Sequence, residues 1–141
     1  MKQVVFKTNS EEETLTLGEQ LAKVTPDGMT LLLQGDLGAG KTTLVRGVAR
    51  GLNITEVVQS PTFNIMKLYL GKKSLIHIDA YRLEDMDHNI GLDEYIGYEN
   101  GYTFIEWPMF IKELIPENHV SIEIKNIDAS TREFCIEGIE L

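Results

Sequence analysis

Apolar and polar positions change period along this chain, and each change marks an element. Residues 3 to 7, Q-V-V-F-K, are β-rich and short. Thr8-Asn9-Ser10 follows, and Ser10 with Glu13 predicts a capping box that opens a helix over 11–24. Its expected core face is Leu15, Gly18, Leu21 and Ala22, with the glutamates at 11 to 13 forming a solvated first turn. Asp27-Gly28 marks a turn into the apolar run Leu31-Leu32-Leu33, which reads as a buried strand. Leu44, Val45, Val48, Ala49 and Leu52 then fall at i, i+1, i+4, i+5 and i+8, one face of a second helix that begins near Lys41 and ends around Gly51.

Beyond that helix, Pro61 imposes an extended conformation on Ser60, so Ser60-Pro61-Thr62 reads as a loop entering a strand. Phe63 to Leu70 and Ser74 to Asp79 predict two strands joined at Gly71-Lys72 as a hairpin. Residues 84 to 101 are acidic and broken by Gly91, Gly97 and Gly101, which predicts loop, a short helix over 92 to 96, and loop. Tyr102 to Glu106 is a further strand, and Pro108 suits the first turn of a short helix reaching Leu114. His119 to Lys125 and Arg132 to Gly138 both alternate and predict a closing antiparallel pair. The expectation is an α/β fold, a central mixed β-sheet flanked by helices, in a single domain over residues 1–141.

Charge and cysteine content narrow the classes. Thirteen Lys plus Arg stand against 22 Asp plus Glu, for a net charge of −9, the wrong sign for gripping nucleic-acid backbone unaided. The single cysteine, Cys135, excludes an internal disulfide or a cysteine metal cluster and is expected to be a buried, inert thiol. This suits a reducing, cytoplasmic setting. The start, M-K-Q-V-V-F-K-T-N, lacks the apolar core of a signal peptide, and no run of about eighteen apolar residues is present. The acidic residues of 84 to 99 lack the D-x-D-x-D-G spacing of a calcium loop and read as a solvated face.

The chemistry concentrates in L-L-L-Q-G-D-L-G-A-G-K-T-T, residues 31 to 43. Gly35, Gly40, Lys41 and Thr42 match G-x-x-x-x-G-K-[ST], placed between a strand and a helix as a phosphate-binding loop requires. Glycines at 35, 38 and 40 let backbone N–H groups approach phosphate oxygens, and the helix N-terminus adds donors and its positive dipole end. The candidate nucleotide contacts in the loop are Asp36, Gly38, Ala39, Gly40, Lys41 and Thr42, with Lys41 on the β- and γ-phosphates and the Thr42 hydroxyl on a magnesium ion. Asp79 ends the apolar strand S-L-I-H-I-D, the arrangement of a Walker B carboxylate that completes a magnesium shell.

Gly35 to Thr43, Ser60-Pro61-Thr62, His77-x-Asp79-x-Tyr81-Arg82 and Glu106-Trp107-Pro108 occur in the order that resembles the TsaE family, also called YjeE, over residues 5 to about 125. The resemblance implies a small single-domain P-loop ATPase that uses ATP and Mg2+ in making threonylcarbamoyladenosine in tRNA. It also implies TsaB and TsaD as protein partners, which would hold the tRNA. Carried over, Lys41 and Glu106 are the catalytic pair, and Thr42, Asp79 and Glu106 the metal donors. Thr43 becomes a phosphate contact, Thr62 a sensor of the γ-phosphate or metal, and Trp107 a nucleotide-site residue. Glu106 is read either as positioning or deprotonating the attacking water or as a strand-end ion pair. Trp107 is also open to a core or interface role, Tyr81 and Arg82 to partner contact or local structure, and His77 to a structural or a catalytic role.

Of the four arginines, only Arg82 lies near a motif in the sequence, so no arginine finger is evident and weak activity without a partner is expected. A GTPase is disfavoured because N-K-x-D and D-x-x-G are absent, and a small-molecule kinase because no arginine-rich lid segment is present. A nucleotide-controlled binding module stays open.

Overall fold

In the computed structural model, which describes residues 3–35, 40–55, 58, 65–71, 73–83 and 91–139 (of Arg82, the backbone alone), the Leu31-Leu32-Leu33 run lies in the middle strand of a seven-stranded sheet. The strands are β1 (Gln3–Thr8), β2 (Thr30–Gly35), β3 (Met66–Tyr69), β4 (Ser74–Asp79), β5 (Gly101–Glu106), β6 (His119–Asn126) and β7 (Arg132–Glu137). Their order is β1-β7-β6-β2-β5-β4-β3. The core strands β6, β2, β5 and β4 run parallel, and antiparallel β3 on one side and β7 and β1 on the other make the sheet mixed. The three leucines are buried on both faces, as the central strand of a covered parallel sheet requires.

One face is covered by two helices, α1 (Glu11–Val24) and α2 (Lys41–Gly51). Leu31 and Leu33 pack there with Leu75, Tyr102, Phe104, Ile122 and the apolar faces of both helices. Leu32, Ile76, Ile78 and Ile105 point the other way, against short 3-10 segments at Tyr81–Leu83, Leu92–Glu94 and Pro108–Leu114. All five positions expected for the core face of α2 are buried. On α1 the buried face is Thr14, Leu17, Gly18, Leu21 and Ala22, whereas Leu15 is only half-buried. Leu17 replaces Leu15 because 14, 17, 18, 21 and 22 form a tighter i, i+3, i+4, i+7, i+8 stripe than a set containing 15.

The capping box forms with a small change. Ser10 Oγ accepts from the Glu13 N–H at 3.1 Å, while Glu13 Oε1 accepts from the Asn9 N–H at 2.8 Å, one residue before the cap. The α1–α2 crossing depends on glycine. A Cβ on Gly18 would stand 2.5 Å from Leu44 O, and one on Gly47 would overlap the Leu15 carbonyl. Tyr102 ties the end of α1 to the sheet, donating its hydroxyl to Thr25 O at 2.7 Å.

Several boundaries differ from expectation. The first strand of the β3–β4 hairpin is confined to Met66–Tyr69, and residues 61–64 lie outside the described set. The short helices expected at 92–96 and from Pro108 are 3-10 in character. Cys135 is half-buried rather than buried, and burial followed by the Glu133 charge pushes its thiol up, which keeps it protonated. Among the described residues no helix is long and apolar enough to cross a membrane.

Candidate nucleotide-binding site

Parallel β2, β5 and β4 lie side by side and end together. Gly35, Glu106 and Asp79 are their last residues, and Asp79 is the register partner of Glu106. The carboxyl edge of a parallel sheet is where open α/β folds bind ligands, because the following loops and helix N-termini converge there. Here α2 begins at that edge. Its cap, Gly40, has φ 99°, a left-handed conformation that glycine adopts without strain. Among the described residues no side chain caps α2, so its first-turn N–H groups are available to an anion.

Lys41, the first residue of α2, is 7% exposed, and its Nζ donates to Gly35 O at 3.0 Å. The same ammonium lies 3.4 Å from Glu106 Oε1 and 5.3 Å from the centre of the Trp107 ring. A buried ammonium needs such partners, since isolation from water would otherwise be costly. Glu106 Oε2 lies 2.7 Å from Nε2 of His77, which is wholly buried in β4. Burial alone would raise the Glu106 carboxyl, but the hydrogen bond from His77 and the charges of His77 and Lys41 outweigh it, and the net shift is downward.

Asp79 moves the other way. Burial is the largest influence and pushes its carboxyl up, the neighbouring Glu106 charge adds to this, and the Tyr81 N–H, donating to Oδ1 at 3.0 Å, offsets part of it. Tyr81 thus serves local structure through its backbone while its ring is 57% exposed. That ring meets Trp107 edge-on at 5.2 Å, and Trp107 stacks on Phe110 at 6.1 Å. Trp107 itself has φ 58°, an uncommon conformation for a bulky residue and one that turns the chain sharply after the β5 carboxylate.

Of the expected site residues, Lys41, Asp79, Glu106 and Trp107 are therefore brought together, with Gly40, Thr42 and Thr43 on the adjoining turn. Asp36, Gly38, Ala39 and Thr62 lie outside the described residues. Hard oxygen donors for a magnesium ion are present in Thr42 and Asp79, whereas both Glu106 oxygens already face His77 and Lys41. No group of three or more His, Cys, Asp or Glu side chains among the described residues forms a ready-made metal cluster. This donor set fits a magnesium ion held jointly with phosphate oxygens better than a protein-only cage.

Three arginines are engaged away from the Lys41–Glu106 pair. Arg46 donates to Val58 O, Arg50 to Glu12 and Glu19, and Arg132 to Asp128 O and Thr131 O. Arg132 was not a sequence candidate, yet its Cγ lies 4.0 Å from where a Gly40 Cβ would be. No periodicity or motif marks it, because 92 positions separate it from the loop and only the sheet order joins them.

The TsaE family, described as threonylcarbamoyl adenosine biosynthesis protein TsaE, matches residues 8–134. The chain belongs to the TsaE family. The tRNA threonylcarbamoyladenosine biosynthesis protein TsaE of Bacillus subtilis is 41% identical over 140 residues, covering 99% of this chain and 88% of that protein. Its counterpart in Treponema pallidum is 34% identical over 131 residues, covering 92% and 96%. The crystal structure of Bacillus subtilis YdiB superposes with a TM-score of 0.82 at 36% identity, covering 99% of this chain and 87% of that one. Family and fold therefore agree with the four-motif resemblance. In this TsaE-family chain, Lys41 at the start of α2 and the β5 carboxylate Glu106 meet at the carboxyl edge of the sheet.

Proposed function

We propose that this chain is a magnesium-dependent ATPase of the tRNA threonylcarbamoyladenosine machinery, acting on a complex of TsaB and TsaD. The observation that carries the reading is the convergence of Lys41, Asp79 and Glu106 on the N-terminus of α2 at the carboxyl edge of the sheet. Phosphoryl transfer asks mainly for positioning and charge neutralisation, and these groups offer both. The α2 N–H groups and Lys41 bind phosphate oxygens, with the ammonium exchanging its Gly35 and Glu106 contacts for them. Thr42 and Asp79 would hold a magnesium ion, which would supply neutralisation of charge on the transferred group.

Glu106 accepts a hydrogen bond from the attacking water. Its lowered pKa makes it a poor proton acceptor at neutral pH, so aligning the water is its larger contribution and the proton leaves with phosphate. With both Glu106 oxygens engaged and Arg46 and Arg50 committed elsewhere, turnover by the chain alone is weak, and partners raise it by rearranging or completing the site. The same engagement supports the second reading, in which ATP orders an interface and hydrolysis is incidental.

ATP turnover with and without TsaB and TsaD, using Lys41→Ala as the blank, tests the proposal. Stimulation of tenfold or more is expected, and equal turnover in both conditions would count against it. Glu106→Gln separates the two readings: loss of repeated rounds of tRNA modification, with ATP and partner binding retained, supports the ATPase, and full support of modification favours the binding module.

A further inference from the structure

His77 is a wholly buried polar side chain inside an apolar strand, flanked by Ile76 and Ile78, and its Nδ1 has no hydrogen-bond partner among the described residues. A core histidine kept for packing alone would leave two ring nitrogens to desolvate, at a cost that an apolar side chain avoids. What distinguishes this one is the 2.7 Å contact between Nε2 and Glu106 Oε2. An ionised carboxylate only accepts, so Nε2 carries the hydrogen and donates. The opposite carboxylate oxygen, Oε1, is the one that faces Lys41. His77, Asp79 and Glu106 share one sheet face, and the His77 ring braces Glu106 at Oε2 while the Lys41 ammonium, from the start of α2, meets it at Oε1.

We propose that His77 is a positioning residue for Glu106: its Nε2–H locks the carboxylate so that Oε1 alone is presented to Lys41 and to the reacting phosphate end of the site. This rests on the ATPase reading above and deepens it. A carboxylate at the end of a flexible glutamate side chain samples several orientations, and a single short hydrogen bond to a fixed ring removes that freedom before substrate arrives. Because the His77 ring acts through Glu106 Oε2, its loss affects alignment of water and leaves nucleotide binding nearly intact.

The test combines kinetics and spectroscopy. His77→Phe removes the donor while keeping a planar ring, and His77→Gln returns an amide N–H at similar reach. For His77→Phe, kcat for ATP hydrolysis in the presence of TsaB and TsaD is expected to fall about 10- to 100-fold, with KM and ATP affinity changed less than about twofold. His77→Gln should recover much of the loss. In a Glu106→Gln background, His77→Phe should cost little more, since both changes disable one unit. Equal fractional losses in the two backgrounds, or a loss carried by KM, would overturn the proposal in favour of a structural role. In the unmodified protein without nucleotide, nitrogen-edited proton NMR should show the His77 hydrogen on Nε2, slow to exchange with water and exposed to exchange in Glu106→Ala. A ring protonated at Nδ1 alone would sink the idea independently of any activity. If wild type exceeds Lys41→Ala and Glu106→Gln in turnover but equals His77→Phe, the positioning role fails and the ATPase reading stands. If wild type matches Lys41→Ala, the ATPase reading fails and takes this role with it.

Discussion

Asp79 and Glu106 sit side by side at the ends of β4 and β5, and burial pushes both carboxyls up, yet their net shifts run in opposite directions. Glu106 has His77 and Lys41 to compensate its charge, and its pKa falls below its unfolded value. Its contribution to stability is therefore present at neutral pH and is lost as pH drops through the folded value. Asp79 is desolvated with less compensation and its pKa rises. Its negative charge opposes folding at neutral pH, and that opposition disappears as acid protonates it. Opposite outcomes follow for two isosteric changes followed by thermal denaturation. Asp79→Asn is expected to raise the midpoint at neutral pH by about 3 °C while abolishing magnesium-dependent turnover, and Glu106→Gln to lower the midpoint by a similar amount. Both differences should shrink toward the acid side of the carboxylate range. Lys41, Thr42 and Asp79 were legible as candidate residues because their chemistry is attached to local patterns, a glycine loop before a helix and a carboxylate after an apolar strand. The Lys41–Glu106 pair and the His77 brace were not, since each joins residues from separate strands or a helix.

At the level of elements, the placement of Lys41 depends on how closely α2 lies against α1. Gly18 and Gly47 bring the two backbones together, and each leaves no room for a methyl group. Alanine at Gly47 would gain about 1 kcal/mol of helix propensity. Its Cβ would overlap the Leu15 carbonyl, and relieving that by moving α2 costs about 1–3 kcal/mol. The backbone clash wins, because a carbonyl oxygen within α1 moves only if the helix moves. Gly47→Ala should lower the urea midpoint without changing the slope, and should weaken ATP binding by tilting the α2 N-terminus. Helix and strand positions were readable from periodicity, and Ser10 announced the start of α1. Gly47 was unreadable as a crossing point. Inside a helical pattern it looks like a propensity defect, and only the neighbouring helix explains it.

For the molecule as a whole, net charge bears on the division of labour proposed above. A net charge of −9 repels phosphate backbone at long range. Filter binding is expected to retain tRNA with the TsaB–TsaD complex and not with this chain alone; tight, salt-sensitive retention by the isolated chain would contradict that division. The sequence by itself determined the order of elements, the α/β class, the phosphate loop and the family, because periodicity, glycine placement and charge are local or additive properties of a chain. The tertiary structure decided which strand ends become neighbours. The order β7-β6-β2-β5-β4 puts Asp79 beside Glu106, carries Arg132 back to Gly40, and sets His77 against a carboxylate 29 positions away. Strand order arises from burial of whole faces against α1, α2 and the 3-10 segments, a many-residue competition that no single stretch encodes.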